Sequence, residues 1–178
     1  MTTNALLDFT DLPRFDLFQA SHVAPAVTQL LEDARSTITQ LEQSEAIGWD
    51  TFVVPLEAVT ERLGRAWGVV GHLNAVVDTP ELRAAYNENL PKVTEFWTEL
   101  GQNLKLFEKY KALQASHEYT ALSSARKRIV DTRCVISVSV ALNSLTTKKY
   151  VLQKFRSSWL HSRHGFQRTC WMPPMLMS

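Results

Sequence analysis

The chain has 178 residues, of which 45% are hydrophobic and 21% are charged, a composition typical of globular rather than disordered proteins. Its apolar runs, such as Ala75–Val77, are far shorter than the roughly 20 residues that a membrane span needs, so no transmembrane helix is expected. The net charge of +1 conceals an asymmetry, because residues 1–131 hold 18 acidic and 12 basic residues, whereas residues 132–178 hold seven basic residues and no acidic one.

The first twenty residues predict an extended segment that lies across a helical surface. Asn4, Asp8, Asp11 and Pro13 separate isolated apolar side chains that show no helical period. Met1–Asn4 lacks the basic region of a secretory signal, which favours a cytoplasmic location.

Two long helices are predicted next. Ser21 is a suitable N-cap for the first, which is expected to end at Gly48. Its apolar positions recur at spacings of three and four, at Val27, Leu30, Leu31, Ala34, Ile38 and Leu41. Residues 49–55 are expected to bridge to the second helix, which is apolar enough to be largely buried.

A third and a fourth helix complete the predicted array. Thr79 can cap the third, with Pro80 at its first position, and its apolar stripe predicts that it runs on to Tyr110 with a kink near Pro91. The fourth begins after His117, with an inner face formed by Tyr119, Leu122, Ala125, Ile129 and Val130. The pattern predicts an all-α domain, an antiparallel helical array over residues 1–131.

Beyond Asp131 the helical period fails. Cys134–Val140 alternates like a strand, but a helical domain offers it no second strand to pair with. Residues 132–178 are therefore predicted to form an irregular, poorly ordered basic tail. Cys134 and Cys170 belong to no CxxC pair, and no disulfide is expected in the cytosol.

The histidines do not form a recognisable metal site. His117 begins a His-Glu pair, but the second histidine of an HExxH motif is missing one turn later. His72 is expected to be a satisfied, half-buried histidine of the second helix, and His22 has no ligand partner nearby in the sequence. The pair His161 and His164, taken with Cys134 and Cys170, matches no standard zinc spacing. No catalytic, cofactor-binding or metal-binding residue is predicted in this chain.

Other catalytic and nucleic-acid signals are weak. The sequence contains no GxSxG, Walker A or GxGxxG motif. The pairs Glu57/Glu61 and Glu95/Glu99 are interpreted as solvated helix faces, and the basic run 126–128 as a complement to a helix surface. The basic tail, with Trp159 and Phe166 interleaved, is the better nucleic-acid candidate, although nucleic acid is not the favoured partner.

Residues 1–131 resemble the amino-terminal segment of the oligopeptidase A family, the thimet-oligopeptidase-like zinc metallopeptidases of bacteria, and the resemblance is long and colinear. The residues that carry this resemblance are Asn4, Leu6–Leu7, Phe9, Leu12–Pro13, Phe15, His22–Val23, Pro25–Ala26, Pro55–Leu56, Leu63–Arg65, His72–Asn74, Pro80–Arg83, Ala85–Tyr86, Leu90–Pro91, Gly101–Gln102 and Tyr110.

The resemblance implies an almost wholly helical fold with a deep channel that admits short, unstructured peptides. In that family zinc is held on a distant helix by the two histidines of HExxH and a later glutamate, and the glutamate of the motif activates water. The amino-terminal helices form part of the channel wall. No position of this sequence matches the zinc-site motif, so the resemblance implies a scaffold role, with neither zinc nor activity in this chain alone.

The departure from the family near Asp131 suggests a reading-frame shift, which translation of the gene in the other two frames would test. A fragment of this kind is expected to expose apolar faces around Trp67, Phe96, Trp97 and Phe107 and to self-associate. The alternative is a stand-alone helical module that binds peptides or another protein and uses the basic tail as a contact arm. A weaker third alternative is a nucleic-acid binder that acts through that tail.

Overall fold

The computed structural model describes residues 4–135, and their regular structure is helical throughout, with no strand. The helices are α1 (Val23–Gln43), α2 (Val54–Val76), α3 (Pro80–Gly101), α4 (Leu104–Gln114), α5 (His117–Ala121) and α6, which covers residues 124–135. These residues belong to one compact unit, Met1–Val138, and a second unit, Ser139–Ser178, lies outside the described residues. The predicted all-α array is confirmed.

The first three helices form the body of the array. α1 packs against both α2 and α3. The side chain of Asn103, just past α3, donates a 2.7 Å hydrogen bond to Glu42 at the end of α1, so these two helices run in the same direction. The short connection between α2 and α3 makes them an antiparallel hairpin, in which Trp67 stacks on Tyr86 with ring centroids 5.0 Å apart.

The core lies where these helices meet. Each predicted inner position of α1 is buried, because side chains three and four residues apart share one helix face. The largest fully buried side chains include Phe52, Leu63, Phe96 and Leu113. The burial of Phe96 corrects the prediction that it would be exposed. Among the other three aromatic residues of that prediction, Trp97 is exposed, whereas Trp67 and Phe107 are half-buried.

The ends of α1 differ from the prediction. Ser21 does not cap the helix, because a 3₁₀ turn, Ala20–His22, runs directly into it and the N–H of His22 bonds to Gln19 O at 2.9 Å. At its other end α1 stops at Gln43 rather than at Gly48. The ammonium group of Lys109, on α4, bonds to the carbonyl groups of Ser44 and Ala46, and this contact holds the chain that leaves α1.

The predicted bridge to α2 is instead a single π-helical turn, Trp49–Val53, that continues into α2. Trp49, Phe52 and Val53 are all buried in it. The turn is therefore part of the core rather than a linker. Proline at position 55 falls in the first turn of α2, directly after this π-helical turn.

The predicted start of α3 is confirmed. Thr79 Oγ1 accepts a hydrogen bond from the N–H of Leu82 at 3.3 Å, and Pro80 is the first residue of the helix. The predicted continuation to Tyr110 is wrong, because α3 ends at Gly101 and Asn103 caps a separate helix, α4. A proline lies inside α3 at position 91, where the kink stays a prediction.

The predicted fourth helix is two helices. α5 is a short helix capped by Ser116, and the chain breaks at Leu122 before α6. The break resets the helical phase, so the inner-face prediction holds for Leu122 and Val130 but is wrong for Ala125 and Ile129, which are exposed.

α6 continues through residues 132–135, so this part of the predicted irregular tail is helical and Cys134 and Val135 are not in a strand. Cys134 packs against the same core as Val130, one turn earlier. The remainder of the predicted strand and tail lies outside the described residues. Within the described part of the chain, no helix has both the length and the apolar character that crossing a bilayer requires.

Candidate interaction surface

The three histidines of the described residues lie apart. His22 is at the start of α1, with its Nδ1 buried and without a hydrogen-bond partner, and His117 is exposed at the start of α5. His72 is exposed on α2 rather than half-buried as predicted, and its ring meets the edge of Phe15 at 5.9 Å. Over residues 4–135, no group of three or more His, Cys, Asp or Glu side chains could hold a metal ion. The pair His161 and His164 lies outside that range.

Two of the four singled-out glutamates form ion pairs within the domain. Glu57 accepts hydrogen bonds from Nε and Nη2 of Arg133 at 3.1 and 2.8 Å, and Glu99 pairs with Arg35 at 3.0 Å. Glu95 is exposed on α3, as predicted. Glu57 and Glu99 therefore join helices through ion pairs, whereas Glu95 faces solvent. These carboxylates do not converge on a common point.

The Glu57 and Arg133 pair lies beside a buried phenol. Burial raises the pKa of Tyr110, whose hydroxyl has no hydrogen-bond partner among the described residues. Burial likewise raises the pKa of the Cys134 thiol, a free cysteine, so that it stays protonated near neutral pH. The cluster has the character of a packed junction between α2, α4 and α6, without a reactive nucleophile.

The basic run at residues 126–128 is partly engaged within the domain. The guanidinium group of Arg126 lies 5.0 Å from the ring centroid of Trp49, and Lys127 donates a 2.8 Å hydrogen bond to Thr120 O while lying over the Tyr119 ring. These contacts support the interpretation of the run as a complement to a helix surface.

An open groove follows α6. It is lined by Tyr119, Ser124, Ala125, Lys127, Arg128, Asp131, Thr132 and Val135. Its single carboxylate, Asp131, already accepts hydrogen bonds from the Tyr119 hydroxyl at 2.8 Å and from Gln114 at 2.7 Å. The lining therefore offers no acid and base pair for catalysis.

A carboxylate from α5 completes the start of the π-helical turn. Glu118 Oε1 accepts a 2.7 Å hydrogen bond from the N–H of Trp49, one of the donors that a helix start leaves unpaired. The approach is close, because a Cβ atom at Gly48 would lie 2.9 Å from Glu118 Oε2. The sequence analysis did not predict this contact, because 69 positions separate Trp49 from Glu118.

The N-terminal residues 4–18, here called the strap, lie along α2. Asn4 donates a 2.9 Å hydrogen bond to His22 O, and Leu6 is buried. Farther along, Arg65 donates to the carbonyl groups of Phe9 and Asp11. The strap contains two short 3₁₀ turns rather than a fully extended chain, but its predicted course across a helical surface is confirmed.

The outer side of the strap and the end of α2 carry large apolar side chains, here called the strap face. Its members and their exposed fractions are Leu12 at 79%, Phe15 at 48%, Leu17 at 52%, Val76 at 63% and Val77 at 56%. The contact of Phe15 with His72, one helical turn before Val76, places Phe15 near the end of α2, whereas the bond from Arg65 to the carbonyl of Asp11 places Leu12 nearer the middle of that helix.

Comparison with known proteins places these features in a family context. Residues 27–144 match the family model described as the N-terminal domain of neurolysin and thimet oligopeptidase. That range ends beyond Asp131, and the domain boundary at residue 131 stays a prediction.

Three relatives are similar over most of the chain. The organellar oligopeptidase A of Arabidopsis thaliana is 34% identical over 166 residues, 93% of this chain and 21% of the relative. The probable cytosolic oligopeptidase A of the same plant is 40% identical over 131 residues, 74% of this chain and 19% of the relative. Oligopeptidase A of Escherichia coli is 38% identical over 130 residues, 72% of this chain and 19% of the relative. The chain thus spans about one fifth of the length of these relatives.

Proposed function

Because the chain belongs to the family of the neurolysin and thimet oligopeptidase N-terminal domain, we propose that it supplies the helical channel wall of an oligopeptidase A-type enzyme that hydrolyses short peptides. The observation that carries this proposal is the family match over residues 27–144. Its helices form a packed scaffold, and ion pairs such as those of Glu57 with Arg133 and of Glu99 with Arg35 join them, which is consistent with a wall.

The family implies zinc, but the residues described here do not fit a zinc centre. His22 and His72 lie at different places on the array, one beside the strap anchor and one against Phe15, and among the described residues neither belongs to a group of three or more His, Cys, Asp or Glu side chains that could share an ion. The full sequence contains no HExxH. We therefore assign peptide hydrolysis to residues that this chain does not supply.

The test is to purify the 178-residue chain and measure its zinc content and its hydrolysis of a fluorogenic short peptide. We expect neither stoichiometric zinc nor turnover. Zinc retained with chelator-sensitive cleavage would overturn the proposal. Tight binding of short peptides without cleavage would instead favour the stand-alone binding module, and a salt-dependent gel shift that needs residues 132–178 would favour the nucleic-acid binder.

We further propose a cytoplasmic location. One of the relatives is named as cytosolic, although another is named as organellar. Fractionation of cells that produce the chain would test the location, and recovery from an organelle would contradict it.

A further inference from the structure

Among the described residues, the hydrogen bonds of the strap are mainly internal to it. Its two 3₁₀ turns close on themselves, with the N–H of Leu7 bonded to Asn4 O at 3.0 Å and the N–H of Leu17 to Arg14 O at 3.2 Å. The guanidinium group of Arg14 also pairs with Asp16 at 2.8 Å. All of these contacts would survive if the strap moved away from α2, so they do not oppose that movement.

The two ends of the strap are held more firmly than the residues between them. Leu6 is buried in the core near one end, and Phe18 packs against the core at the other. Between these two side chains, residues 10–12 and 14–17 are exposed. The middle of the strap therefore has little buried surface of its own to keep it on the helix.

One residue of α2 supplies the hydrogen bonds that hold the middle of the strap. Arg65 Nη1 lies 3.5 Å from Phe9 O, Nη2 donates to Asp11 O, and the guanidinium carbon stands 6.0 Å from the centroid of the Phe9 ring. The other aromatic contact, between Phe15 and His72, joins two exposed side chains. Bonds from a charged donor are stronger than neutral ones, so Arg65 is the main attachment.

A narrow cleft lies between the strap and α2, and its lining includes Phe9 of the strap and Ala66 and Val69 of the helix. We propose that residues 8–17, the lid, open from α2 while the helices stay folded, and that Arg65 is the latch that keeps the lid closed. Opening would expose Ala66 and Val69, which are only 3% and 9% exposed in the closed state. The lid thus controls access to an apolar part of α2.

The test is limited trypsin digestion of the 178-residue chain, with fragment 1–14 measured by mass spectrometry. Arg14 is the first Lys or Arg of the sequence and Arg35 the second, so this fragment reports cleavage in the lid alone. When opening is fast relative to cleavage, the rate follows the population of the open form. Urea separates the two routes to cleavage, because its effect on an opening scales with the surface exposed, which is small for a lid and large for the whole domain.

Three variants test the latch. Arg65→Met removes it, and Arg65→Lys keeps the charge but loses the planar fork that can reach two carbonyl groups. Arg35→Met is the matched control, because Arg35 is an exposed arginine that pairs with Glu99 of α3. We expect fragment 1–14 to appear at least tenfold faster from Arg65→Met than from the wild type, at an intermediate rate from Arg65→Lys, and within twofold of the wild type from Arg35→Met.

The helical circular dichroism should persist while the fragment is released, and urea below the unfolding transition should change the wild-type rate less than twofold, relative to a synthetic peptide of residues 8–20. The proposal is overturned if the wild-type rate rises with urea as steeply as global unfolding does, or if neither Arg65 variant is cleaved faster than Arg35→Met. If Arg65→Met loses its helical signal, Arg65→Lys and the wild-type urea dependence decide the outcome.

Discussion

The contact between Glu118 and the start of the π-helical turn makes a quantitative prediction. In Glu118→Ala, the N–H of Trp49 loses its acceptor at a site where Trp49 is only 8% exposed. An unsatisfied buried donor costs about 1–3 kcal/mol. Because Glu118 itself is exposed and water can enter in its place, we expect a loss near the lower end, about 1.5 kcal/mol.

Substitution by glutamine separates the hydrogen bond from the charge. Glu118→Gln keeps an acceptor oxygen and loses only the attraction of a carboxylate to the helix start, worth about 0.3–1 kcal/mol. Glu108→Ala, at an exposed position of α4, is the control and should change stability by less than about 0.5 kcal/mol. Urea unfolding followed by circular dichroism measures all three, and the midpoint of Glu118→Ala should fall by about 1 M for a slope near 1.5 kcal/mol per M.

A second substitution tests the geometry of the same contact. Gly48→Ala would place a Cβ atom 2.9 Å from Glu118 Oε2 and displace that carboxylate. Gly48→Ala should therefore cost stability in the wild-type background and less in the Glu118→Ala background, where the 3.0 Å approach to Thr51 Oγ1 remains. Additive effects, or a Glu118→Ala loss equal to that of Glu108→Ala, would refute the reasoning.

Three further substitutions test the core and the pH dependence of stability. Phe52→Ala should cost about 3–5 kcal/mol in urea unfolding, because Phe52 is fully buried against Tyr110. Tyr110→Phe should preserve or raise stability, by up to about 1 kcal/mol, since it removes a buried hydroxyl without a partner in the described structure, and a clear loss would reveal an acceptor. Hydrogen bonds from Asn103 and Lys105 hold the pKa of Glu42 below its usual 4.5, so Glu42 stabilises the fold above that pH and less as the pH falls through the lowered value. Glu42→Gln should therefore lose stability less steeply than the wild type between about pH 5 and 3, and equal slopes would contradict this.

The sequence predicts those features of the fold that depend on residues close to one another along the chain. The inner face of α1 and the cap at Thr79 follow from a helical period and from a side chain that reaches three residues ahead, and both are confirmed. Some of the errors come from contacts between distant residues, because the period alone cannot show that Glu118 closes the π-helical turn. The missed start of α4 is different, since Asn103 caps that helix through Leu106, three residues ahead, and could have been found in the same way as the cap at Thr79.

The strap shows the same division. The polar residues and the proline of the strap predict its irregular course. Its position on α2, however, depends on Arg65, which donates hydrogen bonds to strap carbonyl groups more than 50 residues away. The exposure of Leu12 and Leu17 could not be read from the sequence either, because an apolar residue in an irregular segment is as compatible with burial as with exposure.

The step in composition at residue 131 and the end of the packed helix do not coincide. Arg133, the first basic residue after the step, pairs with Glu57 across 76 positions, and Cys134 packs against the core. Both contacts join α6 to helices that lie wholly on the acidic side of the step. A change of reading frame that began directly after Asp131 would have to recreate this pairing and this packing by chance. The contacts of Arg133 and Cys134 therefore place residues 132–135 with the helical domain, four residues beyond the step in composition, and the change of reading frame stays a prediction.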